Sequence, residues 1–355
     1  MTSASLDASL PTSPCPARRH QGLDALRGLL MVTVILGHFP TSQHGRNPFG
    51  PLPGVLYFFH IPLFLALSCL FAKPISLPQL RTRALQLLLP YAAWMALTHP
   101  TLLAHHPWTL LGDAAMGNYA RVPSILWFLP ALFTTNLLTA LWRRNQGPGA
   151  RSCRLALLLL ALAALASAPT LVRWHPHLPF GLDVALYLFP FLWVLERLWR
   201  RRQALAEAAG PWLLPVACLA LPLGGLLIQH FERVKTHSAF ARRIDFAQFS
   251  VPETLSGYLG MTLMAASLLV LASRLPAPRW LAAVGRYSMP IFLLHYLLLY
   301  LLTRSIGLAG ESQVPLLVFG LLVTALVIAL AMGVARVLTW VSPRFAWLGL
   351  SVART

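Results

Sequence analysis

Arg27 and His38 sit in one stretch, LDALRGLLMVTVILGH, eleven positions apart. On an α-helix, eleven steps of about 100° overshoot three full turns by only about 20°. Both residues therefore face one side, about 16 Å apart along the axis. A guanidinium holds anions, phosphate above all, through paired N–H donors. An imidazole titrates near about pH 6.5 and serves as an acid or base in neutral water. One helix face would carry an anion-binding end and, deeper along it, a proton-handling group. An anchoring arginine and a hydrogen-bonded structural histidine have the same spacing, so the pair alone leaves both readings open.

Two more histidines fall at a similar depth once spans are drawn. His60 lies on the second apolar run and His295 on the ninth. Counting along the spans puts His60 about 12 Å from one membrane face, and His38 and His295 each about fifteen residues from the other. Three imidazoles from three spans suggest one cavity. No carboxylate or thiol accompanies them, so no metal is expected there. Arg81 and Arg83 lead into the third run, in RTRALQLLLPY, and with Arg27 could form a basic mouth for phosphates. Trp94 and Trp127 read first as packing or interfacial aromatics.

The elements that would position these residues are membrane helices. Hydrophobic residues make up 57% of the chain and charged residues 11%, against roughly 25% charged in soluble domains. Runs of about 20 apolar residues, each enough for one bilayer crossing, recur from end to end. We expect an all-α polytopic bundle of ten spans, at 23–40, 53–72, 84–103, 122–142, 154–172, 181–199, 211–229, 255–274, 280–302 and 314–340. With the N-terminus inside, inner loops and tails hold 20 Lys and Arg and outer loops hold 8, which favours both termini in the cytosol. Residues 1–22 and 341–355 are expected as cytosolic tails flanking one transmembrane domain, and no cleavable signal is read in the first run.

The net charge of +18 is spread between apolar runs, so it is not a nucleic-acid signature. Cys15, Cys69, Cys153 and Cys218 are scattered and suggest neither a disulfide frame nor a metal site. Phe240, Phe246 and Phe249 sit among charges in the 230–254 outer loop, as in an interfacial segment or a lid. No internal repeat of the transporter kind is visible.

Several blocks resemble the membrane acyltransferase family 3. The Arg27/His38 pair matches the family's hallmark. YFFHIPLFLALSCLF is similar to its FFHxPLFFxxSG segment through His60, Pro62, Phe64 and Ser68, with Ser68-Cys69 standing where the family has Ser-Gly. RTRALQLLLPYAAW is similar to the basic stretch before Pro-Tyr, with Arg81-x-Arg83 in place of the usual RxxR. ILWFLPALF, which contains Trp127, resembles a block of the branch related to fucose 4-O-acetylases. VGRYSMPIFLLHYLLL resembles the late G-x-x-S-x-x-x-Y/F-x-x-H block, through Gly285, Ser288, Phe292 and His295.

The resemblance implies transfer of an acyl group, usually acetyl from acetyl-CoA, to a carbohydrate hydroxyl at a bacterial inner membrane. It implies His38 and Arg27 as catalytic residues, and Arg27, Arg81 and Arg83 as holders of CoA phosphates. His60, His295, Ser68 and Trp127 would line the substrate site. Acetyl-CoA would be a substrate, with no resident cofactor. Partners would be a glycan or lipid-linked sugar and membrane lipids, with no nucleic acid. A polysaccharide transporter or flippase is the competing class, and a structural partner in envelope synthesis a third. A buried base within reach of a thioester favours the enzyme.

Overall fold

The computed structural model describes residues 20–39, 52–70, 77–115, 125–144, 155, 178–234, 251–306, 313–341 and 348–350. The tail over 1–19, nearly all of the fifth expected span, the loop over 235–250 with its three phenylalanines, and most of the C-terminal tail lie outside the described residues. Thirteen α-helices and three short 3-10 turns fill the described parts, and no strand occurs among them.

In chain order the helices are α1 Gln21–Gly37, α2 Leu52–Leu70, α3 Leu77–Thr98, α4 Pro100–His105, α5 Pro107–Ala115, α6 Phe128–Arg144, α7 Leu182–Arg200, α8 Arg202–Ala209, α9 Leu213–Val234, α10 Val251–Arg274, α11 Arg279–Arg286, α12 Ser288–Ile306 and α13 Gln313–Val341. Three helical stretches are long and apolar enough to cross a membrane, Arg202–Gln229, Ser256–Arg274 and Leu317–Val341; two bent pairs raise the number to five.

α1 is the hub of the bundle. It is buried along most of its length and touches α2, α10, α11, α12 and α13. Apolar side chains on all sides suit a helix enclosed by others rather than one facing lipid on a broad side. α1 ends at Gly37, one turn short of the expected span, and Pro40 explains why. A proline disfavours helical backbone in the residue before it, so the helix stops ahead of Phe39.

Glycine sets how closely α1 meets α11. A Cβ on Gly28 would collide with the Leu281 carbonyl oxygen, and one on Gly285 with that of Asp24. Small residues permit such backbone approach in membrane bundles, where dispersion contacts rather than exclusion of water drive association.

The ninth expected span is broken. α11 and α12 meet at Tyr287 at an angle of 82°. Pro290 is the cause: it has no N–H for the Arg286 carbonyl, and its ring would clash with that carbonyl in a continuous helix. It is tolerated because it falls in the first turn of α12. On α13, Arg336 Nε donates to Tyr287 Oη at 3.1 Å, and its guanidinium lies 5.4 Å from the Tyr287 ring centroid. These contacts fix the corner. The depth reckoned for His295 changes with it: seven residues separate it from Ser288, about 10 Å of helix, rather than fifteen from a span end.

Candidate active site

His38 caps the C-terminus of α1 with φ −90° and ψ 3°. Its Nδ1 lies 2.7 Å from the carbonyl oxygen of Val34. A carbonyl only accepts, so Nδ1 carries the proton and Nε2 of the neutral ring presents a lone pair. His295 repeats the arrangement on α12, with Nδ1 2.7 Å from the Phe292 carbonyl. Its side chain is wholly buried, and its Nε2 has no hydrogen-bond partner.

The two rings meet edge-on, with centroids 5.1 Å apart and planes at 67°. His60, fully buried on α2, lies within electrostatic range of both. The expected gathering of three histidines from three helices is therefore present in the structure. Pro62, two residues beyond His60, leaves the Phe58 carbonyl without its usual helical donor. Among the described residues, no three His, Cys, Asp or Glu side chains are arranged to hold a metal ion.

Tyr296 completes the cluster. Its ring lies perpendicular to that of His38 at 6.3 Å, and it is 37% exposed while His60 and His295 are not exposed at all. The accessible side of the cluster is thus the side of His38 and Tyr296. Nothing in the sequence singled out Tyr296 beyond its place next to His295. On the other side, Phe292 lies 5.9 Å from His295 and 5.1 Å from Phe128, which in turn meets Phe64 at 5.6 Å and Trp127 at 6.3 Å. Trp127, half-buried in the short turn before α6, thereby joins an aromatic wall that ends at His295.

Arg27 sits on α1 about 16 Å from His38. Its Nη1 lies 3.3 Å from Asp24 Oδ1, and the Asp24 side chain is only 7% exposed. Asp24 was not read from the sequence as a site residue; a carboxylate three positions before an arginine on a helix is the signal that could have found it. The Asp24 backbone is the surface against which Gly285 packs, so α11 fixes the level of the carboxylate. Arg81 and Arg83 are exposed on the first turns of α3.

Ser68 is not brought to the histidines. It lies eight residues from His60, about 12 Å along α2. There it exchanges hydrogen bonds with the Asn136 side chain of α6 at 3.1 and 3.3 Å. Cys69 Sγ approaches the same Asn136 oxygen at 4.0 Å. About two turns further along α6, Arg143 Nη2 pairs with Glu196 of α7 at 3.1 Å, both side chains being largely buried. Arg200 shares that carboxylate oxygen at 2.6 Å. A small cavity there is lined by Cys69, Thr139, Trp142, Arg143, Trp193 and Glu196. This polar seam joins α2, α6 and α7.

Comparison with known proteins agrees with the resemblance. The acyltransferase domain of family 3 matches residues 20–336. The nodulation protein NolL of Sinorhizobium fredii is 32% identical over 129 residues, covering 34% of this chain and 35% of that protein. The NolL of Mesorhizobium japonicum is 28% identical over 205 residues, covering 52% of this chain and 53% of that protein. The chain thus spans between about a third and a half of the curated relatives it matches. No solved structure matches it. With Arg27, His38, His60 and His295 all inside the matched region, the chain belongs to the acyltransferase 3 family.

Proposed function

We propose that this protein is a multi-pass membrane O-acyltransferase that moves an acyl group, most simply acetyl, from acyl-CoA to a carbohydrate hydroxyl of an envelope or exported glycan. The observation that carries the reading is the histidine cluster at the far end of the helix that bears Arg27. CoA phosphates would bind at the inner mouth, on Arg27 with Arg81 or Arg83. The pantetheine arm would carry the thioester up to His38. His38 Nε2, held as a lone pair by the Val34 bond, would take the hydroxyl proton as oxygen attacks the thioester carbonyl. His60, Trp127 and Tyr296 would line the acceptor side.

The matching arrangement in the membrane is ten spans with both termini in the cytosol, in a bacterial inner membrane. In this frame Arg27, Arg81, Arg83, Arg143 and Arg286 all fall at the inner end. The three histidines fall toward the outer half, where an acceptor from outside or on a lipid carrier would meet them. The test is incubation of the purified protein with radiolabelled acetyl-CoA and an envelope glycan fraction. Label moving to glycan supports the reading, and a protein that binds glycan but moves no label contradicts it.

A further inference from the structure

The segment Leu348–Leu350, beyond α13, packs into the bundle. Trp94 of α3 donates from Nε1 to the Leu348 carbonyl at 3.1 Å. Gly349 has φ +72°, and a Cβ there would lie 2.9 Å from Leu293 Cδ1, 3.2 Å from Met289 Cε and 3.2 Å from Pro90 Cβ. Glycine adopts that φ without strain, so Leu-Gly-Leu lets the backbone turn in a space that leaves little room for a side chain. Leu350 is buried in the main apolar core. Three residues thus bridge α3 and α12.

The faces they cover lead to both ends of the candidate site. On α3, Pro90 and Trp94 come seven and eleven positions after Arg83. Both fall within about 20° of its face, with Pro90 about 10 Å along the axis. On α12, Met289, Leu293 and Tyr296 follow one another at i, i+4 and i+7, again one face. Tyr296 meets the His38 ring edge-on at 6.3 Å. In the ten-span arrangement proposed above, α3 and α12 run in the same direction. Leu348–Leu350 then stands between Arg83 and the His38–Tyr296 side of the histidine cluster.

From this placement we infer that the groove between α3 and α12 is the track of the donor's pantetheine arm, and that Leu348–Leu350 is a stopper seated in it, displaced when acyl-CoA binds. This rests on the acyl-transfer reading above and deepens it. The arm has amide carbonyls on an otherwise largely apolar stem. The groove offers it what it offers the segment: an indole N–H for a carbonyl, and apolar walls from Pro90, Met289 and Leu293. The Trp94 N–H passes from the Leu348 carbonyl to an amide carbonyl of the arm, so the exchange leaves no donor unsatisfied. With the segment seated, the track is closed and a thioester does not reach His38. A segment seated about nine-tenths of the time weakens the apparent donor affinity about tenfold.

The test uses the intact chain in nanodiscs and two ligands: CoA, and adenosine 3′,5′-bisphosphate, which keeps phosphates but lacks the arm. Gly349→Val is strained at φ +72° and crowds Leu293, Met289 and Pro90, so it should unseat the segment. We expect this variant to bind CoA about tenfold more tightly than wild type, with its affinity for the bisphosphate unchanged. A purely structural strap predicts the reverse, since loosening it would loosen α3 and weaken both ligands. A second measurement covers the case in which Gly349→Val does not fold. Leu350→Cys is alkylated with N-ethylmaleimide and followed at that residue by mass spectrometry. CoA should raise the alkylation rate about tenfold, and the bisphosphate should not. Unchanged or weaker CoA binding in folded Gly349→Val, or an alkylation rate that CoA leaves alone or lowers, overturns the stopper while acyl transfer stands. A wild-type protein that binds no CoA overturns both readings.

Discussion

Asp24 and Arg27 form an ion pair at 3.3 Å in the N-terminal half of α1, and the backbone of Asp24 is also the surface on which Gly285 rests. One residue thus ties the guanidinium of the candidate donor site to the short helix that turns the corner toward His295. The two ends of the candidate site share a support, and a change at either should be felt at both.

The donor end gives the first prediction. Arg27→Lys keeps the charge but loses the planar fork that matches a phosphate. Hydrogen bonds to charged groups contribute about 1.5–3 kcal/mol, so CoA affinity should fall by about 10–100-fold. Isothermal titration of the detergent-solubilised protein reads this directly. Unchanged affinity in Arg27→Ala would reduce Arg27 to a membrane anchor held by Asp24.

Gly285 gives the second. A methyl group there would meet the Asp24 carbonyl, and overpacking of this kind costs about 1–3 kcal/mol. Gly285→Ala should lower the thermal midpoint and also weaken CoA binding, because α11 would move away from α1. A stability loss with CoA affinity untouched would show that the corner and the donor site are independent.

Ser68 and Glu196 give the third. Ser68 bonds Asn136 rather than facing the histidines, so Ser68→Ala should cost about 1 kcal/mol of stability and leave the KM values of both substrates alone. A raised acceptor KM would return Ser68 to the substrate site that the family resemblance implies. Glu196→Ala would remove the carboxylate that pairs with the largely buried Arg143; breaking a buried ion pair costs about 3–5 kcal/mol, so this should be much the more damaging of the two in a thermal-unfolding assay.

The membrane arrangement gives the fourth. Reporter fusions after Arg144 and Arg202 should report from the cytosol, and one within 235–250 from outside. A C-terminal fusion reporting from outside would contradict ten spans.

What was legible in the sequence was what one helix encodes. Arg27 and His38 fall on one face because helical rise and twist are fixed, and α1 keeps regular geometry to Gly37. That His60 and His295 come near His38 followed from span order, although the depth reckoned for His295 did not hold. The corner at Tyr287 was written in Pro290 but hidden, since hydropathy runs through the break without a gap. The partners of Ser68 and Arg143 were not legible at all. Asn136 lies 68 residues from Ser68, and Glu196 lies 53 residues from Arg143. Pairings at that distance depend on how helices pack, and arginines near span ends look alike whether they face water or a buried carboxylate.

The central claim is that His38 is the base for acyl transfer, and its most direct test is transfer of labelled acetyl from acetyl-CoA by the purified His38→Ala protein alongside wild type. General-base catalysis contributes about 10²–10⁴-fold, so the variant should bind CoA as wild type does and show no measurable transfer. Near wild-type transfer by His38→Ala, with His60→Ala or His295→Ala inactive, would contradict the assignment and place the base elsewhere in the same cluster.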